Sequence, residues 1–125
     1  VAFSPPPRAW LPVPADHLQR AVDVQQHAAD SVLNYYKAML KFRRAHPALS
    51  KGTIEVLDMP EGVLGFIRKE GEDRLLCVFN MREVAADVQL PGGLDSKTVD
   101  SPVKSVPAVS GSLSLAPFGA YIGAV

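Results

Sequence analysis

The chain has no net charge to offer a partner, because its 13 acidic and 13 basic side chains cancel. Neutralising phosphates requires a basic surface, so nucleic acid is not expected as a partner. The densest basic group, Lys41 with Arg43 and Arg44, falls at the end of an expected helix. Cations there complement the helix dipole. Cysteine is almost absent too. A single Cys77 excludes an internal disulfide framework. It lies in the apolar run 75–79 and reads as a buried, inert thiol. The electropositive, partly exposed setting of a reactive thiol is missing around it. No apolar run is long enough to span a bilayer, so no membrane partner is expected. The opening Val-Ala-Phe-Ser-Pro lacks both a signal peptide's charged start and an initiator Met. An internal segment of a cytoplasmic protein is the expectation.

Catalytic signatures are equally scarce. There is no Gly-x-Ser-x-Gly elbow, and Pro91-Gly92-Gly93 runs on into Leu94 and Asp95 rather than Lys-Ser, so it is not a phosphate loop. His17, His27 and His46 lack the close spacing of metal ligands. Neither metal nor cofactor is expected. Glycosidase chemistry needs two carboxylates facing one cleft, but Asp58, Glu61, Glu70, Glu72, Asp73, Asp95 and Asp100 fall mostly at expected turns, where acids serve solubility and local hydrogen bonds. No catalytic residue is expected. Trp10, Tyr35, Tyr36 and Tyr121 could stack on sugars, but core or interface packing explains them with less.

What is present divides into a proline-rich start, a helix and an all-β remainder. Residues 1–14 carry Pro5, Pro6, Pro7, Pro12 and Pro14, yet also Phe3, Trp10, Leu11 and Val13. Leaving such side chains wet forfeits roughly 1.5–3 kcal/mol each, so this is read as a loop packed against something, with Trp10 as its anchor. Residues 16–23 could form a short helical turn. The main helix is expected over about 31–46, capped by Asp30 or Ser31 and stopped by Pro47. Val32, Tyr36, Met39, Leu40 and Arg43 define its stripe, widened by Leu33 and Phe42. His46, at its end, is placed to cap carbonyls or meet the dipole.

After Gly52 the period falls to two. Strands are expected at 53–57, 63–68, 74–80, 84–90, 96–99, 112–115 and 120–124, with turns between them. That spacing implies an antiparallel sandwich or barrel. Phe66, Phe79, Phe118 and Tyr121 on these strands are expected to pack inward. A helix cannot bury its whole stripe on a sandwich whose own core is filled, so a missing N-terminal partner is implied.

Two stretches resemble a known family. Ala2-Phe3-Ser4 with Arg8-Ala9-Trp10-Leu11-Pro12-Val13-Pro14 resembles the "GFS…PWLPV" segment of the α-glucosidase and oligo-1,6-glucosidase branch of glycoside hydrolase family 13. Residues 22–26 and 30–49 resemble its "NVxxQ…DSVLNxYRxLIxLRKxHPAL" segment. Ala9 stands where that family usually has Pro. The resemblance covers about the first 50 residues. It implies that residues 1–50 end a catalytic (β/α)8 barrel, as a loop plus the barrel's last helix. Residues 51–125 would then form the antiparallel Greek-key β-sandwich that follows. It further implies a retaining enzyme acting on α-glucosides by hydrolysis or glucosyl transfer. Its Asp nucleophile, Glu acid/base and second Asp would lie upstream, in a barrel that is this segment's partner. The segment itself would be structural and inactive alone. The rival reading is an autonomous carbohydrate-binding or structural sandwich module, which needs an exposed line of aromatics.

Overall fold

The computed structural model describes residues 14–103 and 109–125. The expected Trp10 anchor and most of the proline-rich loop lie outside the described residues. The chain divides into two compact units, Val1–Leu40 and Lys41–Val125.

In the first unit, helices α1 (Ala15–Gln19) and α2 (Val22–Gln25) are single turns in the region expected to be weakly helical. Helix α3 (Val32–Ala45) starts as the sequence predicts, with Ser31 as its cap. The Asn34 N–H donates to Ser31 Oγ at 3.2 Å, and the Leu33 N–H donates to Gln25 Oε1 at 3.1 Å. These acceptors satisfy two of the four amides that a helix start leaves unpaired. Ser31 Oγ and Asn34 Nδ2 donate in turn to the Gln25 carbonyl, which ties α2 to the start of α3. The expected stripe is largely open, as a helix without its partner implies: Val32, Tyr36, Leu40 and Arg43 are all exposed.

The second unit begins at Lys41, within the last turns of α3. His46 is extended, and Pro47 opens the short helix α4 (Pro47–Ser50) at a position where its missing N–H costs nothing. Gly52 then lets the chain pass close to α4. A Cβ there would sit 2.5 Å from the Ala48 carbonyl oxygen and 2.6 Å from that of Lys69. Strands β1 (Thr53–Val56), β2 (Val63–Glu70) and β3 (Asp73–Asn80) form a meander. The chain then crosses to the second layer as β4 (Ala86–Gln89) and passes a 3-10 turn at Pro91–Gly93. It returns as β5 (Asp95–Thr98) and β6 (Val109–Ser110), crosses again as β7 (Ser112–Leu115), and ends as β8 (Ala120–Ala124).

Strand β8 lies between β3 and β5, so the sheet order is β1-β2-β3-β8-β5-β6, facing a two-stranded sheet β4-β7. Every pairing is antiparallel. The late return of the chain beside β3 is the connection a Greek key requires. The expected antiparallel sandwich is the observed fold. Strand β6 was not foreseen, and the strand expected over 84–90 is shorter than its alternation suggests. Between the layers, Ile67, Leu76, Val78 and Tyr121 pack on Leu90, Leu113 and Leu115.

Candidate functional site

Period-two geometry gives the large sheet a second face, and that face is apolar too. Three rows of side chains run across it. Val56 stands beside Phe66, Cys77 and Ile122; Ile54 beside Arg68, Leu75 and Ala124; Leu64 beside Phe79 and Ala120. The first two rows are buried at β3 by Leu75 and Cys77, and the first also at β8 by Ile122, while Phe79 and Ala120 of the third are half-buried. The first two open at β1, where Ile54 is 55% and Val56 68% exposed, and the third row opens at Leu64 on β2, which is 44% exposed. Phe66 and Phe79 stack on this face with ring centroids 6.0 Å apart. A sheet apolar on both faces is normally covered on both.

Near α4, charged groups hold this face together. Asp73 opens β3. Its Oδ2 accepts from the Ala48 N–H at 2.9 Å, and its Oδ1 accepts from His46 Nδ1 at 3.1 Å. The carboxylate has no proton to give, so the imidazole nitrogen is the donor. Arg68 Nε donates to the Ala48 carbonyl at 3.0 Å and Nη2 to that of Gly52 at 2.8 Å. The two side chains thus grip α4 at both ends. Two sequence expectations are corrected here. Asp73 is not a solvated turn acid, and His46 turns its ring to Asp73 rather than to the carbonyls of α3, with the Phe42 ring tilted against it at a centroid distance of 4.5 Å. A His–carboxylate pair can orient a catalytic base, but this carboxylate is already committed to capping α4, which makes the pair a tether. No local signal links Asp73 to residues 46–48, because the contact depends on how the hairpin lies over α4.

Cys77 is buried, as expected. Burial pushes its thiol up from 9.0 to about 11, with the positive charge of Arg68 pulling weakly the other way. A thiol so placed is protonated at neutral pH and a poor nucleophile. His17 and His27 are exposed in the first unit. Among the described residues, no group of three His, Cys, Asp or Glu side chains could hold a metal ion. No described helix is long and apolar enough to cross a membrane.

The third feature is a platform at one end of the sheet, built by buried Asn80. Its Nδ2 donates to the Val84 carbonyl at 2.7 Å and to that of Ala116 at 2.9 Å, and its Oδ1 accepts from the Arg82 N–H at 3.1 Å. Backbone bonds complete the join: Asn80 N–H to the Gly119 carbonyl, Phe118 N–H to that of Arg82, and Met81 N–H to that of Gly62. The Arg82 stem lies against Gly62, where a Cβ would meet its Cγ at 2.6 Å. Three turns are thereby fixed to one another. Alternation from Leu76 and Val78 places Asn80 inward, and a polar residue at an inward position was a legible signal that sequence reasoning passed over. Phe118, expected to pack inward, instead points out from this platform and is 70% exposed.

Residues 54–122 match the family described as Maltogenic Amylase, C-terminal domain. The chain belongs to that family. Among curated proteins it is similar to a probable alpha-glucosidase of Rhizobium meliloti, at 45% identity over 82 residues, covering 66% of this chain and 15% of that protein. Among solved structures it is similar to an alpha-glucosyl transfer enzyme, with a TM-score of 0.80 and 35% identity over 91% of this chain and 21% of that one. Isomaltulose synthase from Klebsiella sp. LX3 gives a TM-score of 0.74 at 30% identity, over 92% of this chain and 21% of that one. The chain therefore spans about a sixth to a fifth of the length of these relatives. It corresponds to the C-terminal region of a glycoside hydrolase family 13 protein of the α-glucosidase type.

Proposed function

We propose that the whole protein is a retaining enzyme acting on α-glucosides by hydrolysis or glucosyl transfer, and that the part described here braces its catalytic barrel. In this reading residues 1–50 finish the barrel, with α3 as its last helix, and residues 51–125 form the sandwich that supports it. The catalytic carboxylates belong to the barrel, and none is assigned within this chain. Residence in the cytoplasm, proposed from the free Cys77, is checked by fractionating cells and probing for the protein.

The open side of the sheet's second face carries this reading. Ile54 and Val56 continue rows that are buried at Leu75 and Cys77, and Leu64 is exposed in the row beside them. Covering each is worth roughly 1.5–3 kcal/mol, so a barrel lying there would gain several kcal/mol. The exposed stripe of α3 points the same way.

Val56→Lys tests the reading in two contexts. In the full-length enzyme, the melting temperature is expected to fall by several degrees. In the 125-residue chain, where Val56 is already exposed, it is expected to stay within a degree or so of the parent's, as surface substitutions usually do. Equal effects in the two contexts would refute the brace. Activity of the full-length enzyme on a small α-glucoside tests the assignment of the reaction.

A further inference from the structure

Phe118 holds a backbone angle φ of +52°, in the left-handed region that glycine enters freely and a bulky residue avoids. The turn around it leaves little choice. Pro117 leads, and the Gly119 N–H closes onto the Ala116 carbonyl at 2.9 Å. Phe118 therefore takes the third position, which a type II turn reserves for glycine. Gly119 cannot lend its own freedom there, because a Cβ on it would meet the Ala116 oxygen at 2.8 Å.

Strain of this kind is usually offset by packing, but Phe118 is left in solvent. Met81 and Val84 beside it are also open, at 64% and 48%. These three side chains, with Arg82 and Glu83, line a shallow hollow of about 410 Å³. The backbone beneath is rigid, because Asn80 and the bonds among the three turns fix it. A strained residue on a rigid base, displaying an aromatic ring it does not bury, marks a contact site rather than a folding element.

We propose that this platform binds a chain of α-linked glucose units, with the Phe118 ring as its stacking face. The proposal rests on the reading of the whole protein as an enzyme of α-glucosides. A pyranose presents an apolar C–H face and a rim of hydroxyls. The ring supplies the complementary apolar surface. Arg82 only donates and Glu83, when ionised, only accepts, while each sugar hydroxyl does both. Neighbouring hydroxyls can therefore satisfy the pair together. Protein interface cores take up Phe, Met and Arg but are depleted of glutamate, so Glu83 on the lining favours the sugar over a protein partner. The rigid base also lowers the ordering cost of holding a flexible polymer.

Native electrophoresis of the full-length enzyme through gels containing maltodextrin tests the proposal. The wild type is expected to be retarded. Phe118→Ala is expected to weaken that retardation about two- to twelvefold, the range a lost aromatic stacking contact spans. Phe118→Trp is expected to restore it, and Arg82→Gln to weaken it without touching the strained turn. Should Phe118→Ala fail to fold, the tryptophan and Arg82 variants still decide. An unretarded wild type overturns the proposal, as does a Phe118→Ala variant retarded like the wild type. So does a Phe118→Ala variant that melts earlier at unchanged retardation, which would assign the platform to docking against the barrel. Activity of the wild type on a small α-glucoside is measured in parallel. Its absence would refute the reading of the enzyme, while the gel separately decides the platform.

Discussion

Replacing Gly123 by alanine places a methyl group where two hydroxyls meet. Gly123 lies on the inner face of β8, between Tyr121 on its own strand and Ser96 on β5. Tyr121 Oη donates to Ser96 Oγ at 3.0 Å, and both residues are buried. A Cβ at position 123 would land on both oxygens and 2.7 Å from the Tyr121 Cζ. Neither side chain has room to retreat, since Tyr121 is wholly enclosed by the core. Overpacking of this kind costs about 1–3 kcal/mol. Separating the hydroxyls leaves two buried polar groups unpaired, at about 1–3 kcal/mol more. Alanine stiffens the unfolded chain and returns about 0.4–1 kcal/mol. The net expectation is a loss of about 2–5 kcal/mol, read as a lower midpoint of urea unfolding. Tyr121→Phe removes one of the two obstructing oxygens. The pair Gly123→Ala with Tyr121→Phe should therefore lose less than the sum of the single losses, by about 1 kcal/mol or more. A Gly123→Ala midpoint equal to the wild type's, or strictly additive losses in the pair, would refute the steric argument.

Asp73→Ala removes the cap of α4 and the partner of His46 together, and leaves the Ala48 N–H unpaired. The expected cost is about 2–3 kcal/mol, from hydrogen bonds to a charged acceptor, again read by urea unfolding; Asp73→Asn should cost less, because one amide oxygen can still cap. Burial holds the Cys77 thiol at about 11 in the folded chain against 9.0 when free, so folding favours the protonated form. The stability this gives is complete below pH 9, falls as the unfolded thiol ionises, and is gone above about pH 11, for a total of about 2–3 kcal/mol. Cys77→Ala should show a shallower alkaline loss of stability over that window, and an identical slope would refute the burial argument. In the native protein at pH 8, Cys77 should resist a thiol reagent that labels it fully in denaturant.

The strands were legible because one physical rule, alternation, decides them. Ile67, Leu76, Val78 and Tyr121 all fall on inward positions, and turns rich in Gly and Pro separate the runs. Helix α3 was legible for the same kind of reason, with its cap and its proline stop both written locally. Strand β6 escaped because two residues, Val109 and Ser110, carry no pattern. The roles of Asp73 and Arg68 were hidden for a different reason. Their partners, Ala48 and Gly52, are backbone groups 16 to 25 residues away, and backbone groups leave no mark on a sequence. Phe118 was misread because an aromatic near the end of a β domain normally packs inward. The cue against that reading was local: Pro117 before it and Gly119 after it mark a turn rather than a strand.

Asn80 joins the fold to the proposed site. It is the last residue of β3 and alternates inward with Leu76 and Val78, so the hydrophobic pattern that orders the core also aims this amide. An amide buried without partners would be costly, and here its oxygen accepts once and its nitrogen donates twice. Two of those three bonds fix the loop after β3, and the third fixes the turn before β8. A leucine would fill the same inward position and satisfy the core, yet it would leave the Val84 and Ala116 carbonyls and the Arg82 N–H without this partner. The polar residue therefore adds little that the sandwich needs for its packing. What it adds is a fixed distance between Arg82 and Phe118, the two groups that a sugar ring would have to touch at once.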